Sequence, residues 1–174
     1  MKKPSLSSMT GALAFAALFP ALPLHAATTP WHLTELTGLE FAQAISDEGR
    51  VVGSSRQAGS YDVPAYWKNG VTVVLDPLRQ DRSSQLTAVS GQGQMAGNGS
   101  IATGQSRGAL WADAGFTSLS PLRSGTSTEV FGVNSQGISV GTSRYPFCPD
   151  DLPDFTYPLA VSWNAAGQPT LLAR

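Results

Sequence analysis

The chain has 174 residues, with 11 Lys and Arg against 12 Asp and Glu and charged residues making up only 13%. No basic cluster occurs, which excludes the positive footprint that nucleic-acid binding requires. Glycine and proline are abundant, at 18 and 12, which suits short strands and tight turns better than long helices.

Lys2 and Lys3 give the chain a positive start, followed by an uncharged apolar run through residues 9–24 and then His25-Ala26-Ala27. This is the three-part layout of a secretory signal, with cleavage expected after Ala26. The run is short for a bilayer span, which takes roughly 20 apolar residues. Pro20 and Pro23 would also leave backbone acceptors unpaired in lipid. The expectation is a signal peptide over 1–26, a single β-repeat domain over 27–174, a secreted or periplasmic destination and no membrane span after cleavage. Loss of Lys2 and Lys3 takes the basic count from 11 to 9 against 12 acidic residues. Cys148 is the single cysteine. It can form no internal disulfide and is either free or open to an intermolecular bond.

The next segment, residues 31–36, resembles a strand of the kind that later closes each repeat. The repeats follow. The stretch from Ile45 to Gly53 recurs from Val89 to Gly97 and again from Val133 to Gly141, offset by 44 residues each time. A fixed period of this size marks an array of stacked units, none able to bury its apolar face alone. The copies run over about 39–78, 83–122 and 127–173.

In the first copy, strands are predicted over 41–45, 50–54, 64–68 and 71–75. Asp47-Glu48-Gly49 makes the first turn, with glycine where a positive φ is cheap. Asn69-Gly70 is a strong two-residue hairpin signal, since both positions of a type I′ turn need φ > 0. Residues 55–62 read as a loop. In the second copy Ala114-Gly115 takes the hairpin. In the third, eight extra residues enlarge the loop after Gly141, and 169–173 closes the chain.

Matched positions carry physical meaning. Gly53, Gly97 and Gly141 fall inside a strand, where glycine is unfavourable unless another backbone comes close. Trp67, Trp111 and Trp163 share one large position and are expected to fill the space between neighbouring sheets, as core and not as ligand platforms.

These copies resemble the HAF family of extracellular repeats. The family's "IN-x-x-G-x-V-V-G" hairpin is matched by Ile45 to Gly53 and most literally by Val133-Asn134 to Gly141. Its "A-F-x-W" strand is similar to Ala65-Tyr66-Trp67 and Ala109-Leu110-Trp111. Its "L-G-x-L" segment is matched loosely by Leu75-Asp76-Pro77-Leu78 and Leu119-Ser120-Pro121-Leu122, with proline in place of the glycine. The resemblance implies an exported, propeller-like all-β array and transfers no activity. Four strands in about 44 residues independently suit a propeller blade. Three units are too few for a ring, since propellers usually have about four to eight blades. The array is therefore expected to be incomplete, or completed by a homo-oligomer.

The chemistry-bearing residues form no converging set. Gly104-Gln105-Ser106-Arg107-Gly108 spells the G-x-S-x-G nucleophile elbow, which requires a strained strand-to-helix turn. It lies in a Gly/Ser loop, and the mature chain has one histidine, His32. Gly91-Gln92-Gly93 with Gly97 reads as the repeated hairpin and not as a dinucleotide loop. Asp150, Asp151 and Asp154 in the enlarged loop are a weak calcium signal without the spacing of an EF-hand. His32 and Cys148 are too far apart in sequence to suggest zinc. Asn98-Gly99-Ser100 fits a glycan sequon, to which no role is assigned. Other loop acids are Asp47, Glu48, Asp62 and Asp113. No catalytic, cofactor-binding or metal residue is therefore assigned, and no cofactor is expected. The leading expectation is a non-enzymatic scaffold that binds a protein or glycan through its loops. The alternatives are a carbohydrate-active or other hydrolytic propeller, and a shortened remnant of a larger surface repeat protein.

Overall fold

The computed structural model describes residues 31–56, 61–102, 104–122, 126–146 and 156–172, the side chains of residues 145, 146 and 156 excepted. The repeats lie in one compact unit that starts at Thr34. The described residues contain strands and no helix. The expected signal peptide, Cys148 and the three aspartates at 150, 151 and 154 lie outside the described residues.

The first copy forms β1 (Phe41–Ile45), β2 (Val51–Arg56), β3 (Asp62–Lys68) and β4 (Val71–Val74). The second forms β5 (Ser84–Val89), β6 (Met95–Ala102), β7 (Gln105–Ala112) and β8 (Gly115–Ser118). The third forms β9 (Ser127–Val133), β10 (Ser139–Pro146), β11 (Thr156–Trp163) and β12 (Pro169–Leu171). Each copy is a four-stranded antiparallel meander, with sheet orders β1-β2-β3-β4, β5-β6-β7-β8 and β9-β10-β11-β12. No sheet closes on itself.

The first hairpin of every sheet is built alike. Gly49, Gly93 and Gly137 have φ of 76°, 81° and 75°, and their amides donate to the carbonyls of Ser46, Ser90 and Asn134 at 2.9–3.1 Å. The side-chain oxygen at the first position holds the turn as well: Ser46 Oγ accepts from the Arg50 amide, Ser90 Oγ from Gln94 and Asn134 Oδ1 from Ile138, at 2.9–3.1 Å. This is a three-residue loop with glycine at the left-handed position. Asn69 and Gly70, with φ of 52° and 84°, form the expected two-residue turn.

The strand glycines answer to a β-bulge. In each first strand the register slips by one residue, at Gln43, Thr87 and Phe131. The bulge presses a carbonyl toward the second strand. A Cβ on Gly53, Gly97 or Gly141 would collide with the carbonyl oxygen of Phe41, Gln85 or Glu129.

Two cores join the three sheets. The first brings Val52, Tyr66 and Leu75 against Leu86, Met95, Ala109 and Trp111. The second brings Ala96 and Leu119 against Val130, Val161 and Trp163. Val52 and Ala96 are equivalent, as are Leu75 and Leu119, Leu86 and Val130, and Trp111 and Trp163. The second joint therefore repeats the first, one copy further along. Trp111 Nε1 donates to Asp76 O at 2.9 Å and Trp163 Nε1 donates to Ser120 O at 2.7 Å, so each tryptophan locks onto the end of the preceding sheet. Trp67 differs. It is only half-buried, and its indole N–H has no hydrogen bond among the described residues.

Four expectations need correction. Residues 31–36 form no strand, and Trp31 and Leu33 are fully exposed. A strand needs a ladder partner, and none of the three described sheets takes this segment as a further strand. The second-copy hairpin turns at Asp113-Ala114, because Ala112 pairs with Gly115. The 55–62 loop is shorter than expected, since β2 runs to Arg56 and β3 starts at Asp62. The closing strand is Pro169–Leu171 and stops short of residue 173.

Candidate functional site

One edge of the stack carries two adjoining polar clefts. The first, about 310 Å³, is lined by Asp62 from β3, Ser83, Ser84 and Gln85 at the start of β5, Asn98 and Ser100 from β6, and Ser106 from β7. The second, about 480 Å³, shares Ser100 and Ser106 and adds Gln105, Thr126, Ser127, Glu129 and Arg144. Both form where the β2–β3 and β6–β7 hairpins end beside the first strand of the next sheet. The hydroxyls result from the repeat. Strand ends there carry Ser and Thr, whose small side chains can bond the backbone of the neighbouring sheet.

Several of these groups are already engaged. Ser106 Oγ donates to Thr128 O at 3.3 Å, and its amide donates to Ser127 Oγ at 3.4 Å. Glu129 Oε1 stands 3.5 Å from the same hydroxyl. Ser84 Oγ accepts from the Leu78 amide at 3.2 Å, and Ser83 Oγ accepts from the Asp62 amide at 3.3 Å. Asp62 pairs with Arg56 at 3.2 Å in a part-exposed ion pair. Ser100, Gln85 and Gln105 make no side-chain hydrogen bond among the described residues and leave donors and acceptors for a guest. Arg144 is exposed and has no ion-pair partner among the described residues.

The G-x-S-x-G stretch sits here but not as an elbow. Ser106 is the second residue of β7, paired with Ser100 in an antiparallel hairpin whose register slips between Ser100 and Ala102, and its hydroxyl is directed at a backbone carbonyl. No residue lining either cleft is a histidine. The Gly91-Gln92-Gly93 stretch forms the hairpin turn, with the Gly93 amide on Ser90 O. His32 is exposed. Among the described residues, no group of three or more His, Cys, Asp or Glu is placed to hold a metal ion.

The remaining loop acids are scattered. Glu48 pairs with Lys68 Nζ at 3.0 Å, and that hydrogen bond holds its carboxyl below the usual range. Asp113 accepts from Tyr66 Oη at 3.1 Å, which ties the second sheet's hairpin to the first sheet. Burial pushes the Tyr66 phenol up, reinforced by the Asp113 bond. The Arg50 guanidinium lies 4.5 Å over the Tyr66 ring and donates to Gly93 O at 3.1 Å. Burial alone lowers Arg107. The Tyr66–Asp113 and Arg50–Gly93 bonds tie the first sheet to the second, whereas Glu48 and Lys68 pair within the first.

Sequence reasoning missed the clefts, because they join residues from three copies. The signal available was the clustering of Ser and Thr around 83–84, 100–106 and 126–128 at equivalent strand ends. Comparison with protein-family models, with curated proteins and with solved structures returns no match to this chain.

Proposed function

We propose that the chain is an exported, non-enzymatic β-repeat scaffold of propeller-like build, and that its hydroxyl-lined edge binds a glycan. The support for export is the leader-like sequence over 1–26. The support for the propeller-like array is the 44-residue period, the four-stranded meanders and the resemblance to HAF repeats. The observation that carries the binding reading is the pair of clefts sharing Ser100 and Ser106. They are wide, shallow in chemistry and rich in neutral donors and acceptors, with Glu129 and Arg144 at one side. Such a lining matches the hydroxyls of a sugar chain better than an apolar ligand.

A glycan array probed with the chain tests this. Binding of an oligosaccharide is expected, and Ser100→Leu, at a part-exposed cleft position, should abolish it without changing the melting temperature. A protein that binds no glycan, or that cleaves one, would overturn the reading.

A further inference from the structure

The described residues leave one sheet face without a neighbour, on the far side of the third sheet. Within the chain the equivalent faces are both covered. Val52 and Ala96 are 0% exposed, whereas their counterpart Val140 is 44% exposed. Leu75 and Leu119 are 6% and 0% exposed. Their counterpart is Leu172, since the amides of Leu75, Leu119 and Leu172 donate to the carbonyls of Pro64, Gly108 and Ala160 at matching places in the ladders. Leu172 is 54% exposed. Isolated exposed apolar residues mean little, but two at the anchor positions of a joint made twice in the same chain do.

The other half of the joint is also present, on the first sheet, with its tryptophan only partly covered. Trp111 and Trp163 each seat on the preceding sheet and donate an indole hydrogen bond to it. Trp67 holds the same place on the first sheet, only partly covered and without that bond among the described residues.

We infer that the outward face of the third sheet, centred on Val140 and Leu172, is a docking surface for the first sheet of a second copy of this chain. Trp67 then plays between copies the part that Trp111 and Trp163 play within one. The partner is specified by continuity: the face presents the half-joint that Val52 with Leu75 and Ala96 with Leu119 present, and each of those takes a repeat sheet bearing a tryptophan. Val51 and Ala65, beside Trp67, are buried in the single chain, so docking requires their cover to give way. Two such junctions would close two chains into a ring of six sheets, inside the usual range of about four to eight. Ring closure rests on the propeller-like reading above; the junction itself does not, nor does it depend on the cleft's ligand.

Sedimentation equilibrium of the chain as purified from its producing cells, with the N-terminus read by mass spectrometry, tests the junction. A dimer is expected. Val140→Asp and Leu172→Asp, both at exposed sites, should leave the circular-dichroism spectrum and melting temperature in place and weaken association at least tenfold. Trp67→Phe, which keeps the ring and removes the donor, should weaken it by a smaller factor. A monomer at every concentration, or an assembly indifferent to both aspartate variants, would overturn the inference. Glycan binding by a monomer would leave the proposed function standing while the junction fell.

Discussion

Asn98 closes both ends of its amide on the backbone of Val130: Oδ1 accepts from the Val130 amide at 2.8 Å and Nδ2 donates to its carbonyl at 2.9 Å. Val130 lies beside the bulge of β9, where the ladder is interrupted. One side chain from the second sheet thus replaces the strand pairing that the third sheet lacks at that point. Asn98→Ala would leave the Val130 amide without its partner, while the carbonyl keeps the Thr87 hydroxyl at 3.2 Å, at a cost of about 1–3 kcal/mol. A fall in urea midpoint with an unchanged m-value would show it. The same engagement bears on the Asn98-Gly99-Ser100 sequon, because a glycan on Nδ2 would compete with the bond to Val130.

The three repeat tryptophans should separate on truncation. Trp111 and Trp163 are 3% and 0% exposed, so each change to Ala should cost about 3–5 kcal/mol. Trp67→Ala should cost less in the monomer, as the residue is less deeply buried and its indole N–H makes no hydrogen bond among the described residues. Three equal losses by chemical denaturation would contradict this ordering.

Glycine positions give a paired test. Gly97→Ala drives a methyl group into the Gln85 carbonyl at the β5 bulge and should destabilise by about 1–3 kcal/mol or more. Gly91→Ala meets only the Asp47 carboxylate oxygen, 2.7 Å away at the tip of a movable side chain. It should be nearly neutral. Thermal melts of the two variants, side by side, decide the matter.

Tyr66 predicts an alkaline limit. Its folded pKa lies above the ordinary value of 10.0, from burial and then from Asp113. The folded state therefore holds the phenolic proton more tightly than the unfolded chain does. Its contribution is fully present below the ordinary tyrosine value and is lost as pH rises through the raised folded value. Tyr66→Phe should flatten that part of the stability profile. An unchanged alkaline slope in the variant would assign the loss to other groups.

The sheets were legible because the repeat reports the same answer three times. Gly49, Gly93 and Gly137 each mark a turn, and agreement among copies outweighs the ambiguity of any one. Gly53, Gly97 and Gly141 were readable as sites of close approach, though the bulge responsible was not, since a one-residue slip leaves no mark in the hydrophobic pattern. Trp67 was misread as the equal of its counterparts: sequence records the position within a copy, while burial depends on whether another sheet lies in front of it. Residues 31–36 looked like a closing strand for the same reason, as composition cannot show whether a sheet edge takes the segment as a further strand. The clefts escaped because each joins two copies, Asp62 with Ser100 in one and Ser100 with Arg144 in the other, which meet only through stacking.

The hairpin tips have a separate use. Their backbone is fixed from the first and fourth positions, by Ser46 and Gly49, Ser90 and Gly93, or Asn134 and Gly137. The two residues between are exposed in every case and vary between copies, apart from the glutamine shared by two of them: Asp47-Glu48, Gly91-Gln92 and Ser135-Gln136. Three interchangeable display positions, evenly indexed along the chain, can thus be rewritten without touching what folds it. A peptide epitope or a dye-bearing cysteine grafted at 91–92 should be carried as well as the native pair, which makes this rim a ready-made mount for engineered recognition.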